Sequence, residues 1–191
     1  VKVGRDTLEA EARALCGLQE AYGDRASFIL DGNRGWSYAQ AELFLRMVSD
    51  VRIPYGEELL TDPWELPRLQ RESGILMALD ETLFVPGEYS GLIRDWRSVI
   101  ALKPDRIPGS LVRCLQLAEL MQRRGGAAVV SSAYNTPVGL SFLVQVASAM
   151  GCPHAGLGTY RWLPDTITTG LVPGKDGAVD AETSWVNTLD G

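Results

Sequence analysis

Residues 74–83 read GILMALDETL: five apolar residues run directly into Asp80 and Glu81. A carboxylate carried into a protein interior is costly unless it is neutralised, paired or bound to a cation. The same arrangement recurs along the chain. Short β-rich runs occupy 1–3, 27–31, 53–57, 75–80, 99–103, 128–132 and 155–158, and the first six end in Lys2, Asp31, Glu57, Asp80, Lys103 and Ser131. Those ends are separated by 29, 26, 23, 23 and 28 residues, close to one strand–helix unit each. Alternation of this kind predicts an α/β fold with a parallel sheet and helices outside it. A doubly wound sheet would give the same alternation. A TIM-like (β/α) barrel accounts better for a polar residue at every strand end, because those ends converge on one mouth.

The intervening stretches have helical spacing and start signals. Leu8, Ala12, Leu15 and Leu18 share one face after an expected Asp6 cap, and Gly23 ends the run. Ser37 precedes a face of Ala41, Phe44, Leu45 and Val48, and Asp62 stands before Pro63, a favoured order for a first turn. The chain opens VKVGRD on the end of a strand, so the expected fold is an incomplete barrel, strands 2–8 over residues 1–170, with a polar tail over 171–191.

The chain has 191 residues, 46% of them hydrophobic, and a net charge of −6. That is enough material for a sizeable core. The acidic balance argues against a nucleic-acid surface, which needs clustered basic residues. No apolar run approaches the ~20 residues of a membrane helix, so no membrane partner is expected. Cys16, Cys114 and Cys152 are widely spaced and odd in number, which suits reduced thiols rather than a disulfide framework. Lysines are scarce, Lys2, Lys103 and Lys175 against fifteen arginines, and two of the three end apolar runs. His154 precedes the last strand, at the wrong end for chemistry, and GLGTYRW lacks the helix start of a phosphate loop.

Three carboxylates brought together on neighbouring strands would repel and take up protons. A hard divalent cation removes the conflict, and all-oxygen ligation suits Mg²⁺. Singly, each acid reads as a solvated strand-end residue; three in consecutive units at matched positions read as a metal site made by Asp31, Glu57 and Asp80. Lys2 and Lys103 flank the three, on the strands before and after. A cation and a second ammonium disfavour the charged form of a lysine, which suits it to act as a base. The set is suited to removing a proton α to a carboxylate, with cationic charge stabilising the enediolate.

The order Lys, Asp, Glu, Asp, Lys on successive strands resembles the enolase superfamily, in its muconate-lactonizing branch. Within that branch it looks most like the o-succinylbenzoate synthases, the dehydratases of menaquinone and phylloquinone biosynthesis. VKVG, LDGNRGW, EEL, ALDETL, LKPDRIPGS, VVSSAYNTPVGL and GLGTYRW carry the likeness. The resemblance implies Lys2 as general base and then acid, Asp31, Glu57 and Asp80 as Mg²⁺ ligands, and Lys103 as electrostatic partner of the enediolate. It further implies that Asn33 and Glu81 orient the ligands, and that Ser131, Ser132 and Gly139 lie near the carboxyl-bearing end of a small-molecule substrate. An N-terminal capping domain and the first strand would precede residue 1, so the segment alone is expected to be inactive. DGN replaces the commoner DAN, HAGLGT carries one residue more than HGLGT, and Glu58–Leu59–Leu60 stand where a Pro usually follows the Glu ligand. The compartment implied is cytoplasm or plastid stroma. Two other readings stay open: an N-acyl amino acid racemase or dipeptide epimerase of the same branch, and an inactive barrel fragment with a structural role.

Overall fold

The computed structural model describes residues 1–152 and 154–159. Residues 160–162 of GLGTYRW and the expected tail over 171–191 lie outside the described residues. The chain divides into two compact units, Val1–Ile100 and Ala101–Gly191.

The first unit carries α1 (Leu8–Tyr22), β1 (Leu30–Asp31), α2 (Tyr38–Met47), β2 (Tyr55–Glu57), α3 (Leu66–Ser73), β3 (Leu76–Leu79), α4 (Pro86–Asp95) and the start of β4 (Val99–Leu102), alternating as the sequence predicts. Every pairing from β1 to β4 is parallel: Asp31 faces Glu57, Glu57 faces Ala78, and Leu79 faces Ile100. Lys2 adds an isolated parallel bridge to Asp31, ahead of β1. Met77, Ala78 and Leu79 are fully buried, and so are Phe44, Leu66 and Leu69 from the helices that cover them. A parallel strand buried on both faces reads as a continuous apolar run, which Met77, Ala78 and Leu79 show, whereas Leu76 at the start of β3 is exposed.

The helix starts follow local chemistry, with one correction. The cap of α1 is Thr7, whose hydroxyl accepts from Ala10 N, and not Asp6. Asp6 instead accepts from Thr7 N at 2.7 Å, while the Glu11 carboxylate collects the amides of Gly4, Arg5 and Asp6 at 2.9, 2.7 and 3.0 Å. Glu11 thereby ties Lys2's loop to the helix. Ser37 caps α2 in a reciprocal box with Gln40, and Gly23 ends α1 at φ 54°.

The second unit carries α5 (Ser110–Arg123), β5 (Ala127–Ser131), α6 (Pro137–Ala149) and β6 (Ala155–Gly156), with Ser131 of β5 facing Gly156 of β6. His154 is exposed at the entry to β6, as its sequence position suggests. Cys114, Leu117, Met121, Val130 and Leu143 build its core. Burial pushes the Cys114 thiol up to about 11, with Asp105 adding to the rise. A raised folded-state pKa means that the native state keeps a proton the unfolded chain releases from about pH 9. Stability from this group is therefore complete below pH 9 and lost as pH rises through 11. Urea midpoints measured across pH 8–11 are expected to fall less in Cys114→Ala than in the wild type; equal slopes would refute the assignment.

Candidate active site

The ladder register places the predicted residues. Lys2, Asp31 and Glu57 stand level on neighbouring strands, and Ala78 is level with Glu57. Asp80 directly follows β3, two residues beyond Ala78. Adjacent strands lie ~4.8 Å apart and two residues advance a strand ~6.6 Å, a separation that carboxylate side chains can span. Asp80 is fully buried, a position a carboxylate occupies only with compensation.

Lys2 Nζ donates to Asp31 Oδ2 at 2.8 Å and to Asn33 Oδ1 at 2.5 Å. Asn33 Nδ2 donates to Glu81 Oε1 at 2.9 Å, and Asn33 N to Asp31 Oδ1 at 3.1 Å. Asn33 thus links the lysine, the first acid and Glu81 in one chain. Glu81 Oε2 is buried without a hydrogen bond. Tyr55, two residues before Glu57, has its hydroxyl pushed up to about 12, first by burial and then by the Glu57 charge.

Among the described residues, no three His, Cys, Asp or Glu side chains converge as a ready metal cage. Asp31 accepts from Lys2 Nζ through Oδ2 and from the Asn33 amide through Oδ1. The donor set still fits a hard divalent cation. It consists of carboxylate oxygens on adjacent strands in one register, with a buried Asp80 and a spare buried oxygen on Glu81 beside it.

Three participants escape a reading by strand ends. Glu58 follows Glu57 and is fully buried, and its carboxylate accepts from Arg34 Nε at 3.1 Å. Thr82, also fully buried, accepts from Arg34 Nη2 at 2.8 Å. Burial opposes the Arg34 charge, but the Glu58 carboxylate, with Tyr89 and Glu81 adding, holds the guanidinium above its ordinary range. Asn33, Arg34 and Glu58 adopt φ of 43°, 59° and 42°, a region in which such residues are uncommon. Strained backbone gathered at strand ends is a mark of functional sites. The departure of DGN from DAN also has a cause: a Cβ at Gly32 would lie 2.7 Å from the Leu59 Cα. Glycine lets this loop press against the backbone after Glu57, where Arg34 N donates to Glu58 O at 2.6 Å.

In the second unit Ser131 ends β5 and Ser132 follows it, and both hydroxyls donate to Gly156 O, at 3.3 and 3.2 Å. Ser132 is buried and shares a hydrogen bond with Thr159. Gly139 lies in the first turn of α6, its amide donating to the Thr136 cap. Lys103 follows β4, and its carbonyl accepts from Arg106 N and Ile107 N at 2.8 and 3.0 Å. Hydroxyls and a helix start are suited to hold a carboxylate.

The profile of the family described as Enolase C-terminal domain-like matches residues 1–184. The chain belongs to the enolase superfamily. Its relatives include the o-succinylbenzoate synthase of Pectobacterium atrosepticum, 33% identical, with 92% of this chain and 49% of that protein covered. The chloroplastic protein PHYLLO of Arabidopsis thaliana is 27% identical over 87% of this chain and 11% of its own length. Among solved structures, the dipeptide epimerase of Cytophaga hutchinsonii, complexed with Mg and D-Ala-L-Val, superposes with a TM-score of 0.77 at 21% identity. That match covers 94% of this chain and 50% of the epimerase. The fold is accordingly an incomplete TIM-like barrel of the enolase superfamily. The chain spans about half the length of the bacterial synthase it matches. Among the described residues no helix is long and apolar enough to cross a membrane.

Proposed function

We propose that the gene's complete product is a Mg²⁺-dependent dehydratase of the o-succinylbenzoate synthase type, serving menaquinone or phylloquinone biosynthesis in cytoplasm or plastid stroma. Its substrate is a hydroxylated cyclohexadiene carboxylate bearing a succinyl chain. The observation that carries this reading is the Lys2 ammonium held by Asp31 and Asn33, on a ladder whose next strands end in Glu57 and Asp80. The likeness to the o-succinylbenzoate synthase of Pectobacterium atrosepticum supports the same chemistry.

Asp31, Glu57 and Asp80 are assigned to hold Mg²⁺, which when bound supplies positive charge to the substrate carboxylate as it becomes an enediolate. Lys2, as the free amine, takes the α-proton on Nζ, and the C–H bonding pair moves toward the carboxylate. The pair then returns to form the ring double bond while the C–O bond breaks with its electrons on oxygen. Lys2 gives its proton to the departing hydroxide, releasing water and an aromatic ring. One nitrogen performs both transfers, so proton and hydroxide leave from one face. Asn33 and Glu81 aim Lys2 and Asp31. The Lys103 ammonium is assigned to the charge developing on the carboxylate, and Ser131, Ser132 and Gly139 to the succinyl carboxylate. A capping domain is the assigned partner that closes the site.

The dipeptide epimerase likeness favours a second reading, in which Lys2 and Lys103 act as bases on opposite faces of one α-carbon. One experiment separates them. The complete product, with Mg²⁺, is given the diene substrate in one arm and N-acyl amino acids or dipeptides in heavy water in the other. Loss of the diene absorbance with release of an aromatic product is the expected result. Deuterium at the α-carbon without dehydration would replace the proposal with the epimerase, and silence in both arms would leave the inert-fragment reading.

A further inference from the structure

The acids that end β2 are consecutive, Glu57 and Glu58, yet only the first was expected to serve the site. Glu58 N donates to Ala78 O at 3.0 Å, which holds it against the last turn of β3's ladder. Its Oε1 accepts from Asp80 N and from Thr82 N, both at 2.9 Å. Those two amides open the 3-10 turn Glu81–Phe84, for which Asp80 stands at the cap position. An Asp at a cap ordinarily turns its carboxylate back on to the amides that follow it. Here the Asp80 side chain makes no capping bond, because a carboxylate from the neighbouring strand has taken that role.

Glu58 is itself fastened. Arg34 Nε donates to its Oε2 at 3.1 Å, while Nη2 of the same guanidinium donates to Thr82 Oγ1 at 2.8 Å. Arg34 N also donates to Glu58 O, and the Arg34 guanidinium lies 5.1 Å over the Tyr89 ring. A planar fork that is charged at all working pH values is suited to such a clamp. The arrangement ties together the loops after β1, β2 and β3, the three that carry Asp31, Glu57 and Asp80. Glu58 is completely buried, so each of its hydrogen bonds is charge-assisted and shielded from water.

We propose that Glu58, clamped by Arg34, is a positioning residue that caps the turn after β3 in place of Asp80 and so commits the Asp80 carboxylate to the cation. The inference rests on the reading of Asp80 as a metal ligand given above. Groups that orient metal ligands typically contribute about 10- to 100-fold in affinity.

The test uses the gene's complete product and Mn²⁺ alone as the probe, its free concentration and bound line shape read by electron paramagnetic resonance. Glu58→Gln keeps an oxygen for the two amides but turns an N–H toward Arg34, breaking the clamp. With circular dichroism unchanged, it is expected to weaken Mn²⁺ binding about 10-fold or more and to broaden the bound signal. Arg34→Lys, which keeps the charge and loses the fork, is expected to give a smaller loss of the same kind, and it decides alone if Glu58→Gln fails to fold. Folded variants that bind Mn²⁺ within twofold of wild type, with an unchanged line shape, would overturn the proposal. If Asp80→Asn still abolishes binding in that case, the metal reading survives the loss of this one. A wild type that binds no Mn²⁺ would remove both.

Discussion

Asp80→Asn in the gene's complete product is expected to lower Mg²⁺-dependent turnover by about 10³-fold or more, equivalent to ~4 kcal/mol of lost transition-state stabilisation. The substitution changes almost no volume, and the backbone amide of residue 80 keeps its hydrogen bond to Glu58. What it removes is one formal negative charge at a fully buried position. A hard divalent cation binds through that charge, and an amide oxygen replaces it poorly. Folding should suffer little, because Asn needs less hydration than a carboxylate in the same place. The melting temperature is therefore expected to stay within a few degrees of wild type while calorimetric titration with Mg²⁺ loses its heat. Full turnover in the variant would remove Asp80 from the ligand set and, with it, the metal site proposed for Asp31, Glu57 and Asp80.

How much of this is legible in the sequence depends on which physical rule governs each residue. Strand ends were legible because a buried parallel strand is uniformly apolar, so the first polar residue after it marks the end. Asp80, which ends the run 75–79, follows that rule, and Lys2, Asp31 and Glu57 stand level in the ladder. The α2 start was legible because Ser37 and Gln40 carry a local signature. The α1 cap was misplaced by one residue because Asp6 and Thr7 are both competent caps, and Glu11's claim on the Asp6 amide decided between them. Glu58 was hidden for a different reason. Side chains alternate along a strand, so an acid immediately after a site acid is expected to point away from the site and into solvent. Its φ of 42° and its partner 24 positions earlier, Arg34, put it in the interior instead. Charge pairing at that distance has no periodicity to read. Gly32 was visible as a departure from DAN, but the close approach of Leu59 that explains it belongs to the packing of two loops.

Lys2→Met is expected to reduce turnover by about 10²- to 10⁴-fold, the span attributed to a positioned acid–base group, while leaving the cation bound. Lys2 reaches Asp31 and Asn33 from a loop that Glu11 ties down, and its side chain is about half exposed, so folding does not depend on it. Methionine preserves the length of the stem and deletes the nitrogen that takes and returns the proton. Arg is not expected to rescue, since a guanidinium does not give up its proton at working pH. Removal of the ammonium also frees Asp31 Oδ2, which spends one hydrogen bond on it, and lifts the repulsion between two cations. Mn²⁺ affinity should therefore hold or rise as turnover collapses. In heavy water, substrate recovered from the variant should carry no deuterium at the α-carbon. A loss of metal binding parallel to the loss of turnover would make Lys2 a support for Asp31 instead of the base. Unchanged turnover would leave the proton to another group altogether. The sign of the metal response thus separates a residue that moves a proton from one that merely holds a carboxylate in place.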